Sequence, residues 1–195
     1  MVRKIKKKFL IALLINFIII FAFLNFLLYS TPFHSSLIKR YSDNPYHLEI
    51  DKNVTKYITG FSNELNVDFD ENEKSHMADV KRLVLIEEFI FIALLIGFFI
   101  LIYKRKIYYT CFKKASLILF LTALLSLIVS VFFNSFFILF HFVFFPQWNW
   151  EFPASSLMIQ VYQQSFFLNF FIITIIASLF ITVFIHFIVA IKRKI

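Results

Sequence analysis

The sequence predicts an all-α polytopic membrane protein: four transmembrane helices with a small extracellular cap formed by the two outer loops. Three observations carry this. First, 60% of the 195 residues are hydrophobic and the mean hydropathy is +0.78, above the ~45–50% apolar content of an ordinary soluble domain. Second, the excess is gathered into four uninterrupted runs, Phe9–Tyr29, Leu83–Tyr103, Ala115–Phe140 and Phe166–Ile191, each meeting the ~20 residues a helix needs to cross a bilayer. Third, the basic residues are sorted. Arg3, Lys4, Lys6, Lys7 and Lys8 precede the first run, Lys104, Arg105, Lys106, Lys113 and Lys114 join the second to the third, and Lys192, Arg193 and Lys194 follow the fourth. These are thirteen of the 20 Lys and Arg, with no acid among them, whereas the other seven lie in residues 31–82 beside nine acids. The positive-inside rule then puts both termini in the cytoplasm and residues 31–82 and 146–165 outside. So apolar a chain is not disordered, and its single cysteine, Cys111, excludes an internal disulfide framework.

Taken in order, residues 1–30 form a basic flank and the first span. Its apolar run of 21 residues exceeds the ~7–15 of a secretory leader, no small-x-small cleavage site follows, and Ser30-Thr31-Pro32 reads as a helix end with a turn; an anchor is expected. Residues 31–82 are the cap loop. There Val54, Tyr57, Ile58 and Phe61 recur at helical spacing and close near Gly60, while His47–Ile50 alternates like a short strand. Asp70 caps a further helix with Glu73 as the return partner of a capping box, and that helix runs straight into the second span, 83–103. The basic loop 104–114, the third span 115–140, the aromatic outer loop 141–165 and a final segment 166–195, holding the fourth span and a basic end, complete the chain. Cys111 falls in the cytoplasmic loop, so the protein is not itself acylated at an N-terminal cysteine.

In a chain this apolar the ionisable residues carry the information. His186, deep in the fourth span near the basic end, reads as interfacial, and His34 and His47 as surface or capping residues of the cap. His76 and His141 behave differently. His76 stands seven residues before Leu83, ~10 Å above the apolar boundary, and His141, 26 residues beyond Ala115, rises ~39 Å along a continuous helix, ~9 Å past a ~30 Å hydrocarbon core. The two imidazoles thus reach the same height in the outer headgroup layer. Ala123, Ser126, Ser130, Asn134 and His141 share one small and polar stripe, the kind that marks a helix contact face in membranes. His76, Val80 and Glu87 share another face, eleven residues being close to three turns. Asp79, Glu87 and Asn134 are therefore the expected supporting residues. The rings from Phe140 to Phe152 build a poorly hydrated wall suited to an acyl chain and its ester; pocket lining is expected from Phe144, Phe145, Trp148, Trp150, Phe152 and Tyr162.

Other chemistries fit less well. No His-Glu-x-x-His helix or third ligand at metal spacing occurs. A Gly-x-Ser-x-Gly elbow is impossible with only Gly60 and Gly97, and Ser155-Ser156 after Pro153 reads as a turn. No glycine-rich phosphate loop is present. The expectation is no metal, no cofactor, no nucleotide and no nucleic acid, and a monomer among membrane lipids.

Two segments resemble the signatures of the bacterial lipoprotein intramolecular transacylases: Glu73-Lys74-Ser75-His76-Met77-Ala78-Asp79-Val80-Lys81 before a span, and Phe140-His141-Phe142-Val143-Phe144-Phe145-Pro146 followed by Trp150, Phe152, Leu157, Tyr162 and Phe166-Phe167. The resemblance extends over the four spans and both outer loops. It departs after Pro146, where glycines are common in the family and Gln147-Trp148-Asn149 stands here. It departs again at Ser155-Ser156, often acidic, and at Gln163-Gln164, where a proline is usual.

The resemblance implies four helices with an extracellular cap in the bacterial plasma membrane, and an enzyme whose substrate is a diacylglyceryl-modified lipoprotein. It implies transfer of the sn-2 acyl chain to the α-amine of the same N-terminal cysteine, giving a lyso-form lipoprotein, with His76 and His141 catalytic. Acid–base chemistry suits them: an α-amine of pKa ~8 must lose a proton before it attacks an ester, and histidine is poised to take it. His76 is expected as the base, oriented by Asp79 one turn away, and His141 as the group that serves the oxyanion and the leaving glyceryl oxygen, the reverse assignment being nearly equivalent. The rival reading is a non-enzymatic four-helix membrane protein that binds a partner through its extracellular cap; a transporter lacks a polar path at mid-membrane.

Overall fold

The computed structural model describes residues 2–104 and 109–191. The basic residues Arg105, Lys106, Lys192, Arg193 and Lys194, and the side chain of His186 with its expected interfacial setting, lie outside what is described. Every described element is a helix: α1 Val2–Leu28, α2 Thr31–Tyr41, α3 Tyr46–Ile58, α4 Glu71–Tyr103, α5 Tyr109–Val131, α6 Phe133–Phe144, α7 Leu157–Val161 and α8 Gln164–Ile191. Four of them, α1, α4, α5 and α8, are long and apolar enough to cross a membrane. The protein is an all-α, multi-pass membrane protein.

The chain divides into two compact units. The first is built from the chain up to Leu24, Phe89–Val129 and the chain from Ile172 onward. Its core joins Ile11, Ala12 and Ile15 of α1 to Cys111 and Ala115 of α5. Ala12 and Ala115 are almost wholly enclosed because small side chains let helix backbones approach. Asn16 uses that proximity: its Nδ2 donates to the carbonyl of Ala12 at 2.9 Å and across to that of Ala115 at 2.8 Å. Many of the unit's remaining large apolar side chains, among them Phe99, Leu125, Phe180 and Phe184, face outward, as acyl chains rather than water would require.

The second unit comprises Asn25–Glu88 and Ser130–Phe171, and it contains both candidate histidines. Its core gathers Leu37, Ile38, Ile50, Val54, Ile58, Val67, Phe69, Met77, Met158, Val161 and Phe166. The strand expected at His47–Ile50 does not form. His47, Ile50, Asp51, Val54 and Ile58 are the buried side of α3, a three-to-four-residue recurrence that a four-residue window cannot display. Gly60 follows with φ +79, the left-handed conformation that ends a helix cheaply only at glycine. Thr31-Pro32 opens α2, with the proline in its first turn, where its missing N–H costs nothing.

The helix expected over 115–140 is two helices, α5 and α6, parted at Phe132. No glycine or proline marks the break. Within α6, Phe133, Phe137 and His141 follow at steps of four, with Phe145 just past its end, and Phe133 is 7% exposed while Asn134 faces out. Asn134 keeps its place seven residues before His141 on the same helix, but its Oδ1 accepts from Gln164 Nε2 at 3.1 Å.

The capping box forms as the sequence requires. The Asp70 N–H donates to Glu73 Oε2 and the Glu73 N–H to Asp70 Oδ1, both at 2.8 Å. Glu73, 2% exposed, turns its other oxygen to the backbone N–H of Met158 at 2.9 Å. One carboxylate thus fixes the register of α4 and docks α7, whose own N-cap, Ser156, accepts from the N–H of Ile159.

Candidate active site

His76 and His141 meet. Their ring centroids are 5.9 Å apart with planes 24° from parallel, and they are 6% and 9% exposed. Helix α4 delivers His76 one and a half turns after its capping box, and the Phe133–Phe145 stripe of α6 delivers His141. The walls are aromatic. Phe145 lies 4.6 Å from His76 and 5.3 Å from His141, Phe152 is 5.7 Å from His76, and Trp150 and Phe137 are 5.0 and 4.2 Å from His141, centroid to centroid.

Burial and one polar contact define the electrostatics. His141 Nδ1 is 2.7 Å from the carbonyl oxygen of Phe137. A carbonyl only accepts, so Nδ1 carries the hydrogen and Nε2 is the lone-pair nitrogen. Burial lowers the pKa of His141, and the Phe137 carbonyl, which favours the protonated ring, partly opposes it. His76 is pushed down to about 4, first by burial and then by the proximity of His141, with Asp79 and Asn149 pulling the other way. At neutral pH the site holds two uncharged imidazoles, and a proton arriving at one discourages a second at the other.

Asp79 does not bond to His76. Its Oδ2 accepts from Gln147 Nε2 and, at 2.8 Å, from Asn149 Nδ2, while Oδ1 lies 3.8 Å from the exposed Arg82. Asn149 Nδ2 also reaches Ser75 Oγ at 3.2 Å. The turn that brings both carboxamides to Asp79 is strained: Trp148 has φ +61, a region costly for a bulky residue. Its N–H closes the turn on the Phe145 carbonyl at 3.2 Å, and its exposed ring stacks on Trp150 at 6.2 Å and meets Phe142 edge-on at 5.2 Å.

Of the expected pocket lining, Phe145, Trp150 and Phe152 touch the histidines, and Trp148 reaches His141 only through Trp150. Phe144 is half exposed and packs on Phe140 at 4.8 Å. Tyr162 belongs to a separate buried network: its hydroxyl donates to Asp51 Oδ1 at 3.0 Å, and the same oxygen is 3.1 Å from His34 Nδ1. His34 and His47, expected at the surface, are 6% and 5% exposed; the correction follows from α2 and α3, whose inward faces they occupy. Glu87 accepts from Asn25 Nδ2 at 3.0 and 3.2 Å, and neighbouring Glu88 accepts from the Tyr29 hydroxyl, so neither joins the imidazoles. Phe137, Gln147 and Asn149 contribute without having been singled out. A helical step of four from His141 would have found Phe137, whereas the carboxamides depend on the strained turn and left no periodic signal.

A multi-pass membrane protein with two neutral imidazoles side by side in an aromatic enclosure is equipped for proton transfer on an apolar substrate. The family model described as lipoprotein intramolecular transacylase Lit matches residues 5–167, and the chain belongs to that family of membrane acyltransferases. Among solved structures, the membrane integral lipoprotein intramolecular transacylase Lit from Bacillus cereus shares the fold with a TM-score of 0.77 at 15% sequence identity, covering 98% of each chain. No curated protein sequence gives a significant match.

Proposed function

We propose that this acyltransferase moves the sn-2 acyl chain of a lipoprotein's diacylglyceryl group to the α-amine of the same N-terminal cysteine, with His141 as base and His76 as its partner. The observation that carries the reading is the stacked His76–His141 pair, buried together at 5.9 Å. The assignment of His141 as base reverses the expectation from sequence. Its support is the Phe137 carbonyl, which holds Nδ1–H and leaves Nε2 to accept, while Asp79, the orienting group expected for His76, is engaged by Gln147 and Asn149.

The reaction then balances within the pair. The amine nitrogen attacks the sn-2 ester carbonyl, an N–C bond forms, and His141 Nε2 takes the proton the nitrogen sheds. Collapse of the tetrahedral intermediate breaks the C–O bond to glycerol, and the same proton passes to the departing oxygen. Donor and acceptor are on one molecule, so no acyl-enzyme is required, and holding amine and ester together contributes ~7–11 kcal/mol. Phe145, Trp150 and Phe152 shelter the ester from water. In this reading the protein is a monomer of the bacterial plasma membrane with both termini cytoplasmic, residues 31–82 and 141–165 outside, and the histidines at the outer surface.

Mass spectrometry of a lipoprotein's N-terminal peptide, from cells with and without the protein, tests the reading. The N-acyl, S-monoacylglyceryl form is expected with the unsubstituted chain and absent with His76→Ala or His141→Ala. Its absence in all three, or persistence in both variants, rejects the proposal and leaves partner binding through the cap as the reading to pursue.

A further inference from the structure

Three polar atoms at the histidine pair are enclosed without a hydrogen-bond partner: Nδ1 of His76, Oδ1 of Asn149 and the indole Nε1 of Trp150. Leaving such an atom unpaired is costly, and the first two are chemically matched, since an amide oxygen accepts and a neutral imidazole nitrogen can donate. The orientation of the carboxamide is settled by its other end. A carboxylate only accepts, so the nitrogen of Asn149 must face Asp79 Oδ2, 2.8 Å away, and the oxygen is left on the opposite side. Asn149 also lies close enough to favour the protonated form of His76, as an acceptor beside the ring would.

We infer that Asn149 is a positioning residue: anchored through its nitrogen by Asp79 and Ser75, it presents its oxygen to Nδ1 of His76 and fixes that ring as the Nδ1–H tautomer. This rests on the acyl-transfer reading above for its purpose, not for its geometry. Its consequence is a change in what His76 does. A ring held at Nδ1–H has its lone pair on Nε2, as His141 has through Phe137. The pair then offers two acceptors to a nucleophile that carries several protons: His141 removes one, and His76 accepts a hydrogen bond from the N–H that remains, aiming the nitrogen lone pair at the ester. His76 is no oxyanion donor in this arrangement. Asp79, which the sequence placed as a direct orienter of His76, acts one residue removed.

The test reads the tautomer itself. In the full-length protein labelled with 15N-histidine in detergent, His76, assigned by its loss in His76→Gln, is expected to show Nδ1 protonated and Nε2 bare. Asn149→Leu, close in shape, removes the acceptor and should shift the ring toward the Nε2–H form that free histidine prefers. Asp79→Asn keeps the shape and folds around the same turn, but its new amide can donate, so Asn149 should turn over, present NH2 to Nδ1 and invert the tautomer. An Nε2–H ring in the unsubstituted protein, or a tautomer unmoved by either substitution, overturns the inference; a clamp that merely holds the turn together would leave it unmoved. In a transacylation assay kcat should fall about tenfold or more in both variants, with KM little changed. If the unsubstituted protein makes no N-acyl product while the tautomer responds as stated, the function is wrong and the positioning stands. If product forms and the tautomer is indifferent, the reverse holds.

Discussion

His76 shows how a single side chain reports its setting. An imidazole in water titrates near pH 6.5, and here burial beside His141 pushes it down to about 4. Above pH ~6.5 it is neutral whether the chain is folded or not. Between ~6.5 and ~4 the unfolded chain binds a proton that the folded one refuses, so stability falls as pH drops through that window. The contribution is at most about 3 kcal/mol, from 1.36 kcal/mol per pKa unit. Thermal unfolding in detergent at pH 7 and pH 4.5 should therefore differ less in His76→Gln than in the unsubstituted protein; an equal difference in both refutes the depressed pKa. His76 was legible because α4 runs unbroken from its capping box through Leu83, so that counting residues from Leu83 became measuring height. His141 was placed by the same count from Ala115, along a helix that in fact parts at Phe132. His34 and His47 were not legible, because their partner structure is remote. His34 bonds Asp51 at a separation of 17 residues, and Tyr162 joins that network from 111 residues away; no local spacing encodes such a contact.

At the scale of elements, the long helices followed from length and hydropathy, and the second half of α3 from the periodicity of Val54, Tyr57 and Ile58, whereas its first half, expected as a strand, and the short helices did not. Phe61, the last of that periodic run, lies beyond α3 and is exposed. Helix α7 has five residues, too few for a period, and its place is set by Glu73 on another helix. The break between α5 and α6 lies in a run so uniformly apolar that neither phase nor stop is written in it. The turn from Phe145 to Trp150 is the sharpest case. Its carboxamides and indole are brought to Asp79 and His141 by a backbone that puts Trp148 at φ +61, where a Cβ costs about 1–2 kcal/mol. Replacing Trp148 by alanine or by glycine removes the same stacking on Trp150 and Phe142, but only glycine relieves the backbone. Trp148→Gly should accordingly unfold at a higher temperature than Trp148→Ala, by a margin of about 1 kcal/mol. If the alanine variant proves equal or more stable, the turn stores no strain. This chain builds the turn with a tryptophan and so presents an exposed aromatic surface there.

For the whole molecule, orientation is the property on which the chemistry depends, since an enzyme acting on a lipoprotein's acyl chains must present its histidines to the leaflet where those chains lie. Charge supports an outward-facing site: thirteen Lys and Arg without an acid lie in three segments that the positive-inside rule assigns to the cytoplasm, while nine of the acids cluster in 31–82. Helix α4 links the two sides in one element. Its 33 residues are ~50 Å long, ~20 Å more than a hydrocarbon core, so about thirteen residues extend past it. That excess matches Glu71–Arg82, the polar segment that carries His76. Cysteine accessibility tests the arrangement directly. The native Cys111 is wholly enclosed among Ile11, Ala12, Ile15 and Ala115, so its replacement by alanine clears the background at little cost. On that background, a membrane-impermeant maleimide applied to intact cells should label Phe61→Cys, at a position 78% exposed, and should label Lys104→Cys, also exposed, only after permeabilisation. The opposite pattern would put His76 and the capping box on the cytoplasmic side, and an intramolecular transfer at the outer leaflet would then be impossible whatever the geometry of the imidazoles.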